Sequence, residues 1–141
     1  MDLRTATLDD SPAFAGLLDQ LGYPGVSADD ARRRLVQLLD RADHAVFVAA
    51  DDAVAGFIHV CVAESLEHEP RAEIRSLVVG EKQQSGGIGA SLVAAAEAWA
   101  RSLGLRGVRV RSNVIRERAR RFYERLGYNV TKAQNVFDKS L

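Results

Sequence analysis

The sequence predicts a single α/β domain: a mixed sheet with helices on both faces. Three observations carry that reading. The chain has 141 residues, which suits one domain, and no linker, repeat or low-complexity stretch divides it. Its apolar residues alternate between the strand and helix periods in the order β-α-α-β-β-β-α-β-α-β-β. Residues 72–112 read as strand, glycine turn, helix and strand, a succession that implies a right-handed parallel crossover.

Each element has its own signal. Leu3 to Ala6 is a short strand candidate, and Thr7-Leu8-Asp9-Asp10-Ser11-Pro12 is a helix start with Pro12 near the first turn. That helix turns Phe14, Leu17, Leu18 and Leu21 inward and stops at Gly22, before the turn Tyr23-Pro24-Gly25. Ser27 caps a second helix with Ala31, Leu35, Leu38 and Leu39 as apolar positions and Arg32, Arg33 and Arg34 as a solvated face. Ala45 to Ala50 and Val54 to Ala63 read as strands about a tight Asp51-Asp52 turn. Glu64 to Pro70 is a polar connection, and His44 and His68 fall in expected loops, exposed to solvent.

Ala72 to Val79 reads as a buried strand, Gly80 to Gly89 as a glycine-rich turn, and about Gly87 to Leu103 as a helix. Ile88, Leu92, Val93, Ala96, Trp99, Ala100 and Leu103 form its stripe at a helical period. Val108 to Ser112 is the next strand. A helix over about Arg116 to Leu126 carries Ala119, Phe122, Tyr123 and Leu126 on one face, Arg116, Arg118, Arg120, Arg121 and Arg125 on a solvated one, and ends at Gly127. Tyr128 to Ala133 and Asn135 to Lys139 read as two closing strands.

Composition excludes several functions. Apolar residues make up 47% and charged residues 27%, as in ordinary globular proteins. Nineteen basic and nineteen acidic residues cancel, whereas a nucleic-acid binder shows a basic excess. Cys61 stands alone in an apolar run, so it reads as a core residue and fits a reducing cytoplasm. The N-terminus has no apolar signal core, and no apolar run approaches a membrane span. Histidine and carboxylate spacings suggest no metal site.

The glycine turn has a chemical use. Helix N-termini present N–H groups without intrahelical partners and a partial positive charge. Glycines let an anion approach those groups, so a phosphate-bearing ligand is expected here. Gly89-Ala90-Ser91 lacks the Gly-Lys-Ser/Thr of the nucleoside-triphosphate loop, and Gly87-Ile88-Gly89-Ala90-Ser91-Leu92 lacks the last glycine of the dinucleotide fingerprint.

What remains, Gln84-x-x-Gly87-x-Gly89 after an apolar strand, resembles the acetyl-CoA loop of the GNAT N-acetyltransferase superfamily. Downstream, Asn113 and Ala119-Arg-Arg-Phe122-Tyr123-Glu124-Arg125-Leu126-Gly127-Tyr128 resemble the asparagine and the Ala-x-x-Phe-Tyr-Glu-x-Leu-Gly-Tyr segment of that family. Gly80-Glu81 departs from the family's Asp-Pro, and Arg116 stands where close bacterial relatives have a histidine. The resemblance implies a mostly antiparallel sheet whose central parallel pair splays to admit acetyl-CoA. It implies that the backbone of Leu77, Val78 and Val79 meets the pantetheine arm. Gln84, Ser85, Gly86, Gly87, Ile88, Gly89 and Ala90 would hold the pyrophosphate, Asn113 would touch the cofactor, and Tyr123 would stand near the thioester sulfur.

Residue chemistry agrees with those roles. A tyrosine with a pKa near ~10 is protonated at neutral pH and can donate to a departing thiolate. An alkylammonium must lose a proton before it attacks. Glu73 is the first candidate base, a carboxylate in an apolar strand, with pairing to Arg75 as its plainer explanation. His59, on the face of Phe57 and Cys61, is the second. The Val79 N–H would polarise the thioester carbonyl. Tyr23, in the junction Leu21 to Pro24, would meet the acceptor, a small-molecule amine. The alternatives are a protein-amine acetyltransferase and a non-catalytic acyl-CoA-binding domain. A homodimer is compatible with the resemblance.

Overall fold

The alternating runs become five strands in the first of two units, Met1–Val110. They are β1 (Asp2–Thr5), β2 (His44–Ala50), β3 (Val54–Ala63), β4 (Arg71–Val79) and β5 (Val108–Val110), neighbours in that order. The computed structural model describes residues 1–84 and 86–141. Strands β1 to β4 pair antiparallel, and β5 lies parallel to β4. Three helices belong to this unit: α1 (Ser11–Leu21), α2 (Ala28–Leu39) and α3 (Ile88–Ser102).

Local chemistry sets the helix starts. Arg4 donates to both Asp10 oxygens, at 2.8 and 2.9 Å, and the Thr7 N–H donates to Asp10 Oδ2 at 2.8 Å. These bonds let Asp10 be buried at the head of α1, and the guanidinium holds its carboxyl below the usual range. At α2 the Asp30 N–H donates to Ser27 Oγ and the Ser27 N–H to Asp30 Oδ2, a reciprocal cap.

The period of 2 divides the sheet between two cores. On one face Phe57 meets Phe14 with ring centroids 4.4 Å apart, among Leu17, Ala31, Leu35, Val46, Val48 and Val78. On the other, Ile58 and Val60 are fully buried, as are Leu92 and Ala96 of α3. The sheet thus carries α1 and α2 on one side and α3 on the other. Gly56 lies where backbones crowd: a Cβ there would stand 2.8 Å from the Val78 carbonyl oxygen and 3.4 Å from Leu92 Cδ1.

The second unit, Arg111–Leu141, contains α4 (Glu117–Arg125). Ala119, Phe122, Tyr123 and Leu126 are its half-buried residues, as the spacing predicts. Arg120 pairs with Glu124 at 3.1 Å and Arg121 with Glu117 at 3.6 Å on the exposed face.

Five expectations are corrected. Tyr128 to Ala133 and Asn135 to Lys139 form no strand, and Val130, Val136 and Phe137 are exposed. Alternating residues suit a strand, but only a ladder partner satisfies its N–H and C=O groups. The parallel pair therefore ends the described ladder instead of lying at its centre, and β5 stops at Val110 instead of Ser112. His44 opens β2, half-buried, instead of lying in a solvated loop. Leu103 is 46% exposed because it caps α3 instead of continuing its stripe.

Two glycine substitutions test this packing. Gly56→Ala should destabilise by about 1–3 kcal/mol, since backbone must move. Gly16→Ala, on the exposed side of α1 with open space around the new Cβ, should stabilise by about 0.5–1 kcal/mol. Urea midpoints of the two variants should move in opposite directions.

Candidate active site

Strand β4 leads the site. Its β5 ladder covers Ala72, Glu73 and Ile74 only, opposite Val108, Arg109 and Val110. Its β3 ladder continues to Val79 opposite Gly56. From Arg75 to Val79 the other edge has no strand partner among the described residues, and Leu77, Val78 and Val79 lie on that stretch. Arg75 is an inserted residue: Ile74 faces Val60 while Ser76 faces His59. Such a bulge bends the strand and re-aims its side chains.

The chain passes from Val79 directly into the glycine turn. Glu81 to Gln83 form a short helical turn, and the Glu81 N–H donates to Gln20 Oε1 at 3.1 Å. Gln84 donates from Nε2 to the Val79 carbonyl at 3.2 Å. Ser85 lies outside the described residues. Gly86 donates to the Gln83 carbonyl, and Gly87 caps α3 at φ +80, a left-handed conformation suited to glycine. A Cβ at Gly87 would meet nothing within 4 Å, so space is open before the first turn of α3. Ile88 is buried as an anchor, and Gly89 and Ala90 are half-buried behind it. A helix start with bare backbone and open space can take a phosphate.

Glu73 and His59 come to one face at the bulge. Glu73 stands opposite Cys61, and His59 opposite Ser76, two residues apart on β3 and three on β4. The Glu73 carboxylate is buried and pairs with Arg75 at 3.2 Å. His59 Nε2 lies 2.8 Å from His44 Nδ1. Burial lowers the pKa of His59 to about 4, helped by His44 and Arg75. His59 is thus neutral at pH 7, with a lone pair on one ring nitrogen. Burial also raises the Cys61 thiol, as expected for a core cysteine.

Tyr23 is 60% exposed after α1, its N–H bonded to the Leu18 carbonyl. Asn113 and Tyr123 belong to the second unit. Asn113 Oδ1 accepts from the Ile115 N–H at 3.1 Å, so its side chain caps its own turn. Tyr123 rests edge-on against Phe122 and Tyr128, and burial pushes its phenol up to about 12. It stays protonated at neutral pH.

Sequence reasoning missed His44 and Gln20. His44 was legible by carrying the alternation of Val48 and Val46 back two residues. Gln20, on an exposed helix position, gives no such signal.

The His59 burial has a measurable effect on stability. Below pH 6.5 the unfolded chain takes up a proton that folded His59 refuses until about pH 4. Stability is therefore full above pH 6.5 and falls toward pH 4, by up to about 3 kcal/mol. In His59→Gln, urea midpoints between those pH values should decline less steeply.

Known proteins share this architecture and its sequence. The profile of the Acetyltransferase (GNAT) family matches residues 13–128. Aminoglycoside N(6')-acetyltransferase type 1 of Stenotrophomonas maltophilia is 33% identical over 137 residues, which is 92% of this chain and 87% of that protein. Glucosamine-6-phosphate N-acetyltransferase from Arabidopsis thaliana is similar in fold, with a TM-score of 0.86 at 20% identity over 99% of this chain and 98% of that one. AAC(6')-Iy, solved with the bisubstrate analogue CoA-S-monomethyl-acetylneamine, gives 0.86 at 20% identity over the same shares. With a family match across most of its length and a relative at one-third identity, the chain belongs to the GNAT acetyltransferase family and is an acyltransferase.

Proposed function

We propose that the protein, with residues 1–141 as its acetyltransferase domain, moves an acetyl group from acetyl-CoA to a primary amine of a small molecule. The amine attacks directly within a ternary complex. One observation carries this reading: β4 outruns its parallel neighbour and leads into an open, glycine-lined helix start. An extended arm bearing amides suits such an edge, and a diphosphate suits such a helix start. The residues fit the group. Leu77, Val78 and Val79 would hold the pantetheine arm, and Gln84 to Ala90 the diphosphate, with Asn113 a further contact. For this, Gln84 gives up its bond to the Val79 carbonyl.

Acetyl-CoA supplies a thioester whose thiol, with a pKa near ~8.5, is a tolerable leaving group. Tyr123 keeps its proton at neutral pH and supplies it to the departing sulfur. The Val79 N–H polarises the carbonyl that is attacked. Glu73 and His59 are the groups available to take the amine's proton. Tyr23 meets the acceptor. The Stenotrophomonas relative is named for acetylating aminoglycosides, and the analogue held by AAC(6')-Iy joins CoA to an aminoglycoside fragment. Both support a small amine as the acceptor.

Thiol release from acetyl-CoA, followed with a panel of small amines, peptides and aminophosphonates, tests the reading. Release is expected with small primary amines, and silence toward all of them overturns it. Tyr123→Phe should lower kcat by about 10²–10⁴-fold while calorimetry finds acetyl-CoA binding unchanged. An undiminished kcat would remove the acid role.

A further inference from the structure

Two imidazoles meet on the face of the sheet that α1 and α2 cover. His44 Nδ1 and His59 Nε2 are 2.8 Å apart, and the rings stack with centroids 5.1 Å apart and planes at 27°. The ladder makes this contact. His44 stands opposite Cys61 and Val46 opposite His59, so the two histidines are diagonal neighbours on one face.

An N···N distance of 2.8 Å requires one proton between the rings, with one ring donating and the other accepting. The outer nitrogens, His59 Nδ1 and His44 Nε2, make no hydrogen bond among the described residues. His59 sits on an inner strand, opposite Ser76 at the bulge. His44 is the first residue of its strand, next to Asp43, whose carboxylate is exposed and bound by Arg41 at 2.9 Å. The pair therefore runs from the interior of the sheet to its rim.

We infer that His44 and His59 form a two-ring proton relay, His59 accepting the proton of the acceptor amine and His44 positioning His59 and passing the proton to water. The relay rests on the transferase reading above. The protons balance. An ammonium N–H breaks as His59 Nδ1–H forms, the His59 Nε2 proton crosses to His44 Nδ1, and the His44 Nε2 proton leaves to solvent. The amine keeps its lone pair for attack, and each ring ends neutral in its other tautomer. The reverse transfer restores the starting tautomers: solvent protonates His44 Nε2, the shared proton returns from His44 Nδ1 to His59 Nε2, and His59 Nδ1 gives its proton to water.

The surroundings favour a relay over a stored charge. Burial opposes a standing positive charge on both rings; Asp43 favours one on His44 while Arg41 and Arg75 oppose it, and His44 and Arg75 oppose one on His59. Asp43 is held by Arg41, and Glu73 by Arg75. Cys61 is a buried thiol, and α1 and α2 bring apolar side chains to this face. A proton that passes through without resting avoids the cost of a buried cation.

His44→Asn tests the relay. Asparagine retains a hydrogen-bonding atom near the place of Nδ1 but has no second nitrogen from which a proton can leave. His44→Asn and His44→Ala should both lower kcat for amine acetylation at pH 7 on the order of 10-fold or more, with KM for acetyl-CoA unchanged. Added imidazole should restore part of the rate in His44→Ala. A wild-type kcat in His44→Asn overturns the relay and leaves the transferase reading standing. Wild-type protein that releases no thiol with any amine overturns that reading and the relay with it. Nitrogen-15 spectra of the rings give a readout free of turnover. Coupling between His44 Nδ1 and His59 Nε2 is expected, and two uncoupled rings overturn the relay.

Discussion

Strand β4 is paired unequally on its two sides. Toward β3 its ladder runs from Arg71 to Val79, and toward β5 it covers only Ala72 to Ile74. Backbone groups left by a strand partner must find other partners, and from Arg75 onward β4 has none from a strand on this side among the described residues. The β3 side is locked where the strand ends. The Gly80 N–H donates to the Ala55 carbonyl at 2.7 Å, and Gly56 lets the two backbones approach. The same few residues that fasten β4 to the sheet therefore deliver the chain to the head of α3. The α3 core, through Leu92, Val93 and Ala96, fixes that helix start in place.

Polar groups on an apolar face need an explanation, because each loses hydration on burial. At the bulge the explanations differ. Glu73 has Arg75, supplied by the inserted residue itself. His59 has His44, which lets both rings be neutral and still bonded. Asp10 has Arg4 and the Thr7 N–H and serves to start a helix. The Asp10 arrangement accounts for itself as structure. The bulge gathers charged and titratable groups where β4 has outrun β5.

Helix α4 and the glycine turn were legible for the same reason. Ala119, Phe122, Tyr123 and Leu126 are i, i+3, i+4 and i+7, a pattern that geometry alone converts into a face. The glycines of the turn were informative because a helix start has unmet N–H groups whatever surrounds it. The site was less legible where partners come from distant strands. Glu73 and His59 could be named as candidates, but the pairing of one with Arg75 and the other with His44 depends on register and on a single inserted residue. The last fourteen or so positions show the opposite failure: alternation at Val130 and Val136 suggested strands that no partner completes.

Local periodicity, helix caps and the order of motifs were thus settled along the chain, since they depend on neighbours a few residues away. That order was enough to indicate the family. Ladder register, the bulge at Arg75, the reach of β4 beyond β5 and the meeting of His44 with His59 were settled only in three dimensions. Each depends on which strand lies beside which, and with what offset, and one residue of slip would send these side chains to opposite faces.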